Sequence, residues 1–458
     1  MVAVLSFIAS FLGRDVQSNS FRSIYYLGGK SELTAAIKAA IDEVDPSGGR
    51  VCDLFAGSCA VGGSLAAYRE VTTVDVQEYS RVLCSAILNP PCMSAPHIDS
   101  VISRIKSSER AEQILTCIEP LIDYEQQCID AAKNQNSLPL VELLESQPLV
   151  ARNSVRQSRG SALDDVANES IRRLKKNDLW NSPDTTISRF FGGVYFSFAQ
   201  ARMLDTFLMQ AEDSKPNLKD TLKAAALSTA SVLVNTVGKQ FAQPLRPKNK
   251  AGVVKKSLAT VVDRDRSMDA LEMYKTWLGK YSALRAATGK HQILRQDYLE
   301  AITDQASSLS VLYADPPYTR DHYSRFYHVL ETMCLRDNPA LSNVTKGGQV
   351  TISRGLYRED RHQSPFCIRS LAPGAFAALF NEARKNELPL VLSYSPHEAG
   401  DGTHPRVVSM EQIIESARSY FDRVDVCVVD GITHNMLNRS GLKLKTRDNA
   451  EILLKCYC

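Results

Sequence analysis

This chain has almost no excess of either charge, its 54 basic side chains facing 51 acidic ones. A formal net charge of +3 over 458 residues does not announce a nucleic-acid partner, so any such surface must be local. Paired CxxC spacing is missing. Eleven cysteines are scattered, and Cys456 and Cys458 form only a CxC, which excludes an ordinary zinc site and reads as reduced cytosolic thiols. Neither GxGxxG nor GxxxxGK[ST] occurs, so phosphate cradling is not supported. No PD…(D/E)xK or HNH cluster marks a nuclease. The apolar start, Met1 to Gly13, is too short to span a bilayer and lacks the charged start and cleavage site of a signal peptide. A short packed helix or strand is expected there.

Strand–helix alternation is present at both ends of the chain. Arg50 to Phe55 is a short apolar run ending in the turn Ala56-Gly57-Ser58, and a helical pattern follows to about Arg69. Val71 to Asp75 is β-branched and ends on a carboxylate. Residues 90–290 recur instead at helical spacing. From Gln292 the alternation returns: Ser310 to Asp315, Leu388 to Ser395, then Val424 to Val429 and Glu451 to Cys456 as a closing pair. This predicts an α/β fold with a doubly wound mixed sheet, split by a large, mostly helical insert. The expected boundaries are 1–90 and 291–458 for the catalytic domain and 91–290 for the insert.

Two turns carry chemistry. Gly57, at the end of a parallel strand, lets a ligand approach the backbone, and Asp75 closes the next strand where a carboxylate can accept ribose hydroxyls. Together they define a nucleoside-type cofactor site; a plain βαβ turn is the structural alternative. Tyr313 to Tyr318 ends in Asp315-Pro316-Pro317-Tyr318. Two prolines after a strand stop its hydrogen bonding and stiffen the rim. Asp315 and the Pro316 carbonyl can accept the hydrogens of an amine, and Tyr318 offers a face for a flipped base. A rigid turn after a buried strand is the alternative here.

Taken together, Asp315 to Tyr318, the turn Asp53 to Ser58 and Tyr25-Tyr26-Leu27-Gly28-Gly29-Lys30 resemble the alpha group of amino-methylating DNA methyltransferases, which includes the Dam-type adenine methylases. The resemblance covers about residues 24–90 and 290–458. It implies a methyltransferase-type sheet, S-adenosylmethionine as cofactor and adenine N6 in double-stranded DNA as target. It places Tyr26, Gly28 and Lys30 at the methionine end of the cofactor. Asp53, Phe55, Gly57 and Ser58 would form the floor, Asp75 would hold the ribose and Asp297 would lie near the adenine. Asp315, Pro316, Pro317 and Tyr318 would take the target base. One departure is Cys59, where the family's FxGxG has its second glycine. Cytosine N4 methylation and a catalytically silent DNA-binding relative stay open as alternatives.

The insert is the expected target reader. Lys239, Gln240, Gln243, Arg246 and Lys248 mix groups suited to phosphates and to adenine edges among helix-forbidding prolines, with a solvated surface as the alternative. Arg156, Arg159, Arg172 and Arg173 form a second patch, for which a solvated surface is an equal reading. Thr319 to His328 is expected as a loop that closes over the base through Arg320, Tyr323 and Arg325; an ordinary loop leading into a helix from Val329 to Cys334, with its aromatics packed, is the alternative. Arg354, Arg358 and Arg361 lead into Pro365-Phe366-Cys367 as a further basic loop, again with a solvated charge run as an equal reading. Ser393 to Ser395 is expected in a supporting role at the rim. His322 and His328 lack a third ligand, so no metal is expected. The expected location is the cytoplasm of a bacterium or archaeon, near the nucleoid. A separate restriction or defence protein is a further candidate partner, and no membrane is expected.

Overall fold

The computed structural model describes residues 21–26, 29–152, 160–285, 289–317, 323–395, 407–430 and 449–458. Two compact units divide the chain. One runs through residues 2–90, 284–324 and 362–458, and the other through 91–283 and 325–361.

Among the described residues the strands are β1 (Val51–Asp53), β2 (Val71–Asp75), β3 (Gln292–Arg295), β4 (Val311–Ala314), β5 (Asn343–Lys346), β6 (Gln349–Ile352), β7 (Leu390–Tyr394), β8 (Arg423–Asp430) and β9 (Asn449–Tyr457). Seven of them form the sheet of the first unit, in the order β3-β2-β1-β4-β7-β9-β8. The pairs β3–β2, β2–β1, β1–β4 and β4–β7 are parallel, whereas β9 runs antiparallel to both β7 and β8. The central strands are buried on both faces, as parallel strands covered by helices must be. The helix Ala60–Leu65 links β1 to β2, and Glu78–Leu88 follows β2.

Strand order reverses at β1, whose neighbours β2 and β4 lie on opposite sides. That is the point where α/β sheets open a crevice beyond their carboxyl ends. Asp53 pairs in register with Tyr313, so Asp315, two residues on, leaves the sheet at the edge where β1 ends. The expected doubly wound mixed sheet is therefore observed.

The second unit is mostly helical. Its longest helix, Glu109–Lys133, is capped by the Ser108 hydroxyl, which accepts from Ala111 N at 3.2 Å. Leu121, Leu140, Leu163 and Val262 meet in one apolar core. Phe191, Tyr195, Phe241, His328 and Tyr357 make an aromatic cluster. β5 and β6 form a separate antiparallel ribbon. Residues 325–361, expected with the sheet, thus pack in the helical unit, and Leu284, Arg285, Gly289 and Lys290, expected in the insert, pack with the sheet. No helix among the described residues is long and apolar enough to cross a membrane. The expected packed start, Met1 to Gly13, lies outside the described residues.

Candidate active site

A pocket opens at the carboxyl edge of the sheet, wholly within the sheet-bearing unit. Tyr26, Lys30, Phe55, Asp75, Asp297 and the segment Asp315 to Pro317 line it. Five of the expected cofactor residues therefore share one cavity with three of the four expected catalytic residues. Gly28 and Tyr318 lie outside the described residues.

The turn after β1 is stapled on both sides. Leu54 N donates to Tyr313 O at 3.0 Å, and Ala56 N donates to Val74 O at 3.1 Å. Gly57 has φ +50°, and a Cβ there would fall 2.7 Å from Tyr26 Cζ. Only glycine meets both demands. Asp75 braces the turn by accepting from Gly57 N at 3.1 Å and from Gln77 N at 2.9 Å. Burial pushes the Asp75 carboxyl above its ordinary range, opposed by those two backbone donors. Asp53 and Gly57 are buried and Ser58 half-buried, and none of the three lines the cavity. They support the floor rather than form it. Asp53 accepts from Gly62 N at 3.2 Å, and its carboxyl is pushed up to about 7, first by burial and then by the charge of Asp315. Cys59 is buried and holds φ 65°, the conformation that the family's glycine would adopt freely.

Asp297 caps the helix Tyr298–Gln305, accepting from Leu299 N at 2.9 Å, while lining the pocket. Phe55, Tyr298 and Phe366 back this end, with ring centroids 5.2 to 5.5 Å apart. His362, Ser364 and Pro365 also line the cavity. The loop expected to touch DNA at Pro365 is thus part of this cavity.

Lys30 lines the cavity and is ion-paired there. Its ammonium lies 3.1 Å from Asp315 Oδ1 and 3.4 Å from Glu451 Oε1. Ser393 Oγ donates to Glu451 Oε1 at 2.9 Å. Glu451 went unnoticed in the sequence. The available signal was an acid opening an otherwise apolar strand, Ile452 to Leu454.

Residues 26–153 match the family model of the D12 class N6 adenine-specific DNA methyltransferases. That family is one of enzymes, and its name gives adenine N6 in DNA as its target. The matched stretch holds Lys30, the Gly57 turn and Asp75 but ends before Asp315. No curated protein matches the chain.

The residues expected to touch DNA fall into three groups. Lys239 and Gln240 face inward: Lys239 Nζ lies 3.2 Å from Asp265 and 3.0 Å from Val234 O, and Gln240 is buried. Burial lowers the Lys239 pKa, partly offset by Asp265. Gln243 and Arg246 are exposed and bonded to each other at 2.8 Å, while Lys248 pairs with Glu145 at 2.8 Å. Arg320 lies outside the described residues, as do Arg156 and Arg159. Arg172 and Arg173 both bond Glu169.

The expected loop through His328 is instead helix from Ser324 to Leu335. Tyr323 lines the pocket, and Arg325 is exposed with its guanidinium 5.6 Å over the Tyr357 ring. Tyr327 and His328 are core residues, because this helix is buried on every side from Tyr327 to Cys334. Arg358 is buried and bidentate to Asp337 at 2.7 Å, so it serves the fold rather than a phosphate. Arg354 donates to Leu245 O and Arg361 to Ser342 Oγ, both at 2.9 Å. Among the described residues, no three side chains are placed to hold a metal ion.

Proposed function

We propose that this protein transfers a methyl group from S-adenosylmethionine to N6 of an adenine flipped out of duplex DNA. The observation that carries the reading is one cavity at the strand-order reversal. It places the β2-terminal carboxylate of Asp75 and the β4-terminal Asp315-Pro316-Pro317 on the same rim.

The residues present fit the cofactor. A positive-φ glycine turn admits close approach, Asp75 suits ribose hydroxyls, and Asp297 with the Phe55–Tyr298 rings suits an adenine. Tyr26 would flank the methionine end. When bound, S-adenosylmethionine supplies a sulfonium-borne methyl whose C–S bonding pair returns to sulfur as the amine nitrogen takes the carbon.

The chain's own part is to hold the amine. Asp315 and the Pro316 carbonyl accept its N–H hydrogens, which keeps the lone pair aimed along the transfer line. The surplus proton on nitrogen then passes to water. Tyr318 supplies a stacking face worth on the order of 1–3 kcal/mol. In this reading no covalent enzyme intermediate forms.

The helical unit is the proposed target reader. Gln243, Arg246 and Lys248 supply polar and basic groups there. So does the β5–β6 ribbon, whose Asn343, Thr345 and Thr351 are exposed. A two-stranded ribbon is an element that the major groove admits.

The test is to incubate the protein with unmethylated duplex DNA and labelled S-adenosylmethionine, then digest to nucleosides. Label in N6-methyladenine is expected. Label in cytosine would reassign the base, and no label in DNA of varied sequence would remove the enzymatic reading.

A further inference from the structure

β9 runs antiparallel to β7, with Tyr394 opposite Ile452, so its first residues arrive where the parallel strands end. Glu451 is therefore delivered beneath the pocket, fully buried. A carboxylate in such a place is costly unless it is paired. Two buried groups answer it: the Ser393 hydroxyl at 2.9 Å and the Lys30 ammonium at 3.4 Å. Lys30 in turn reaches Asp315 at 3.1 Å; both line the pocket, and Asp315 is the more open of the two at 22% exposure. Lys30 is itself only 5% exposed.

The order Ser393, Glu451, Lys30, Asp315 runs from the sheet interior to the amine site. An ammonium gripped from behind by Glu451 does not swing out to follow a ligand. A shared ammonium also opposes the repulsion between Asp315 and its neighbour Asp53. Tyr313, on the same strand end, is held neutral by burial, which pushes its hydroxyl up.

We propose that Glu451 and Ser393 are positioning residues for methyl transfer. They fix the Lys30 ammonium against Asp315, so that Asp315 meets the target amine charged and already aimed. This rests on the proposed function.

The experiment uses the full chain, duplex DNA and four variants: Glu451→Gln, Lys30→Met, their combination, and Ser393→Ala. Glu451→Gln should lower kcat about tenfold or more while leaving the Kd of S-adenosylhomocysteine, measured by calorimetry, within about twofold. Lys30→Met should move the acid limb of the kcat–pH profile upward, because Asp315 loses the charge that favours its ionised form. The combined variant should be no slower than Lys30→Met, since Glu451 acts through Lys30 and its unpaired charge is then gone.

Wild-type kcat and pH profile in Glu451→Gln, or additive losses in the combination, would overturn the proposal. If Glu451→Gln does not fold, Ser393→Ala carries the test, with a smaller fall in kcat at unchanged cofactor binding. An unchanged kcat in Ser393→Ala then counts against the proposal. A wild-type chain that does not methylate DNA sinks the functional reading. A wild-type chain that does, beside unaffected variants, sinks this inference alone.

Discussion

The ring of Tyr26 occupies the space that any side chain at Gly57 would need, with Cζ 2.7 Å from where a Cβ would sit. The two residues come from segments 31 positions apart, and each explains the other: the backbone at φ +50° admits glycine, and the tyrosine closes over it. Gly57→Ala should therefore destabilise the chain by about 1–2 kcal/mol in urea unfolding. It should also weaken S-adenosylmethionine binding in a calorimetric titration. Wild-type values for both would detach this turn from the site.

Asp315→Asn keeps the shape of the rim and removes the charge. Methyl transfer should fall on the order of 10²–10³-fold, with cofactor affinity nearly unchanged. Turnover close to wild type would take Asp315 out of the mechanism.

Two basic residues of the same segment should behave oppositely towards DNA. Arg246 is exposed, so Arg246→Ala should lower the slope of log K against log salt by about 1. Lys239 is turned inward onto Asp265, so Lys239→Ala should leave that slope unchanged and lower the melting temperature instead. Equal slopes for both variants and the wild type would place this segment away from the phosphates.

His328 predicts an acid sensitivity of the helical unit. Its Nε2 lies 3.1 Å from Phe241 O, and burial depresses its pKa to about 3 from the ordinary 6.5. Between these values the unfolded chain binds a proton that the folded one refuses. Stability is thus present above pH 6.5 and is lost as pH falls towards 3. His328→Gln can still donate to Phe241 O and should flatten this part of the urea-unfolding profile. A profile that keeps its slope in the variant would assign the sensitivity to other groups.

Much of the site was legible because its signals are local. A strand that ends on Asp75 or Asp315, a glycine at a turn and two prolines after a strand act through neighbours in the chain, and periodicity placed β1, β2 and β4 correctly. The departure at Cys59 was also visible, although not that a cysteine there would adopt the left-handed conformation.

Sequence by itself determined which chemistry is available: carboxylates at strand ends, a glycine turn, a Pro-Pro rim and a set of basic side chains. Only the tertiary structure decided which of them are free to act. Lys239, Arg358 and His328 read as surface groups, yet each is turned inward onto a partner far away in the chain. Glu451 read only as the first residue of a closing strand, yet strand pairing delivers it to Lys30. Burial and ion pairing depend on which distant segments meet, and the energetic demand that a buried charge be answered selects those meetings.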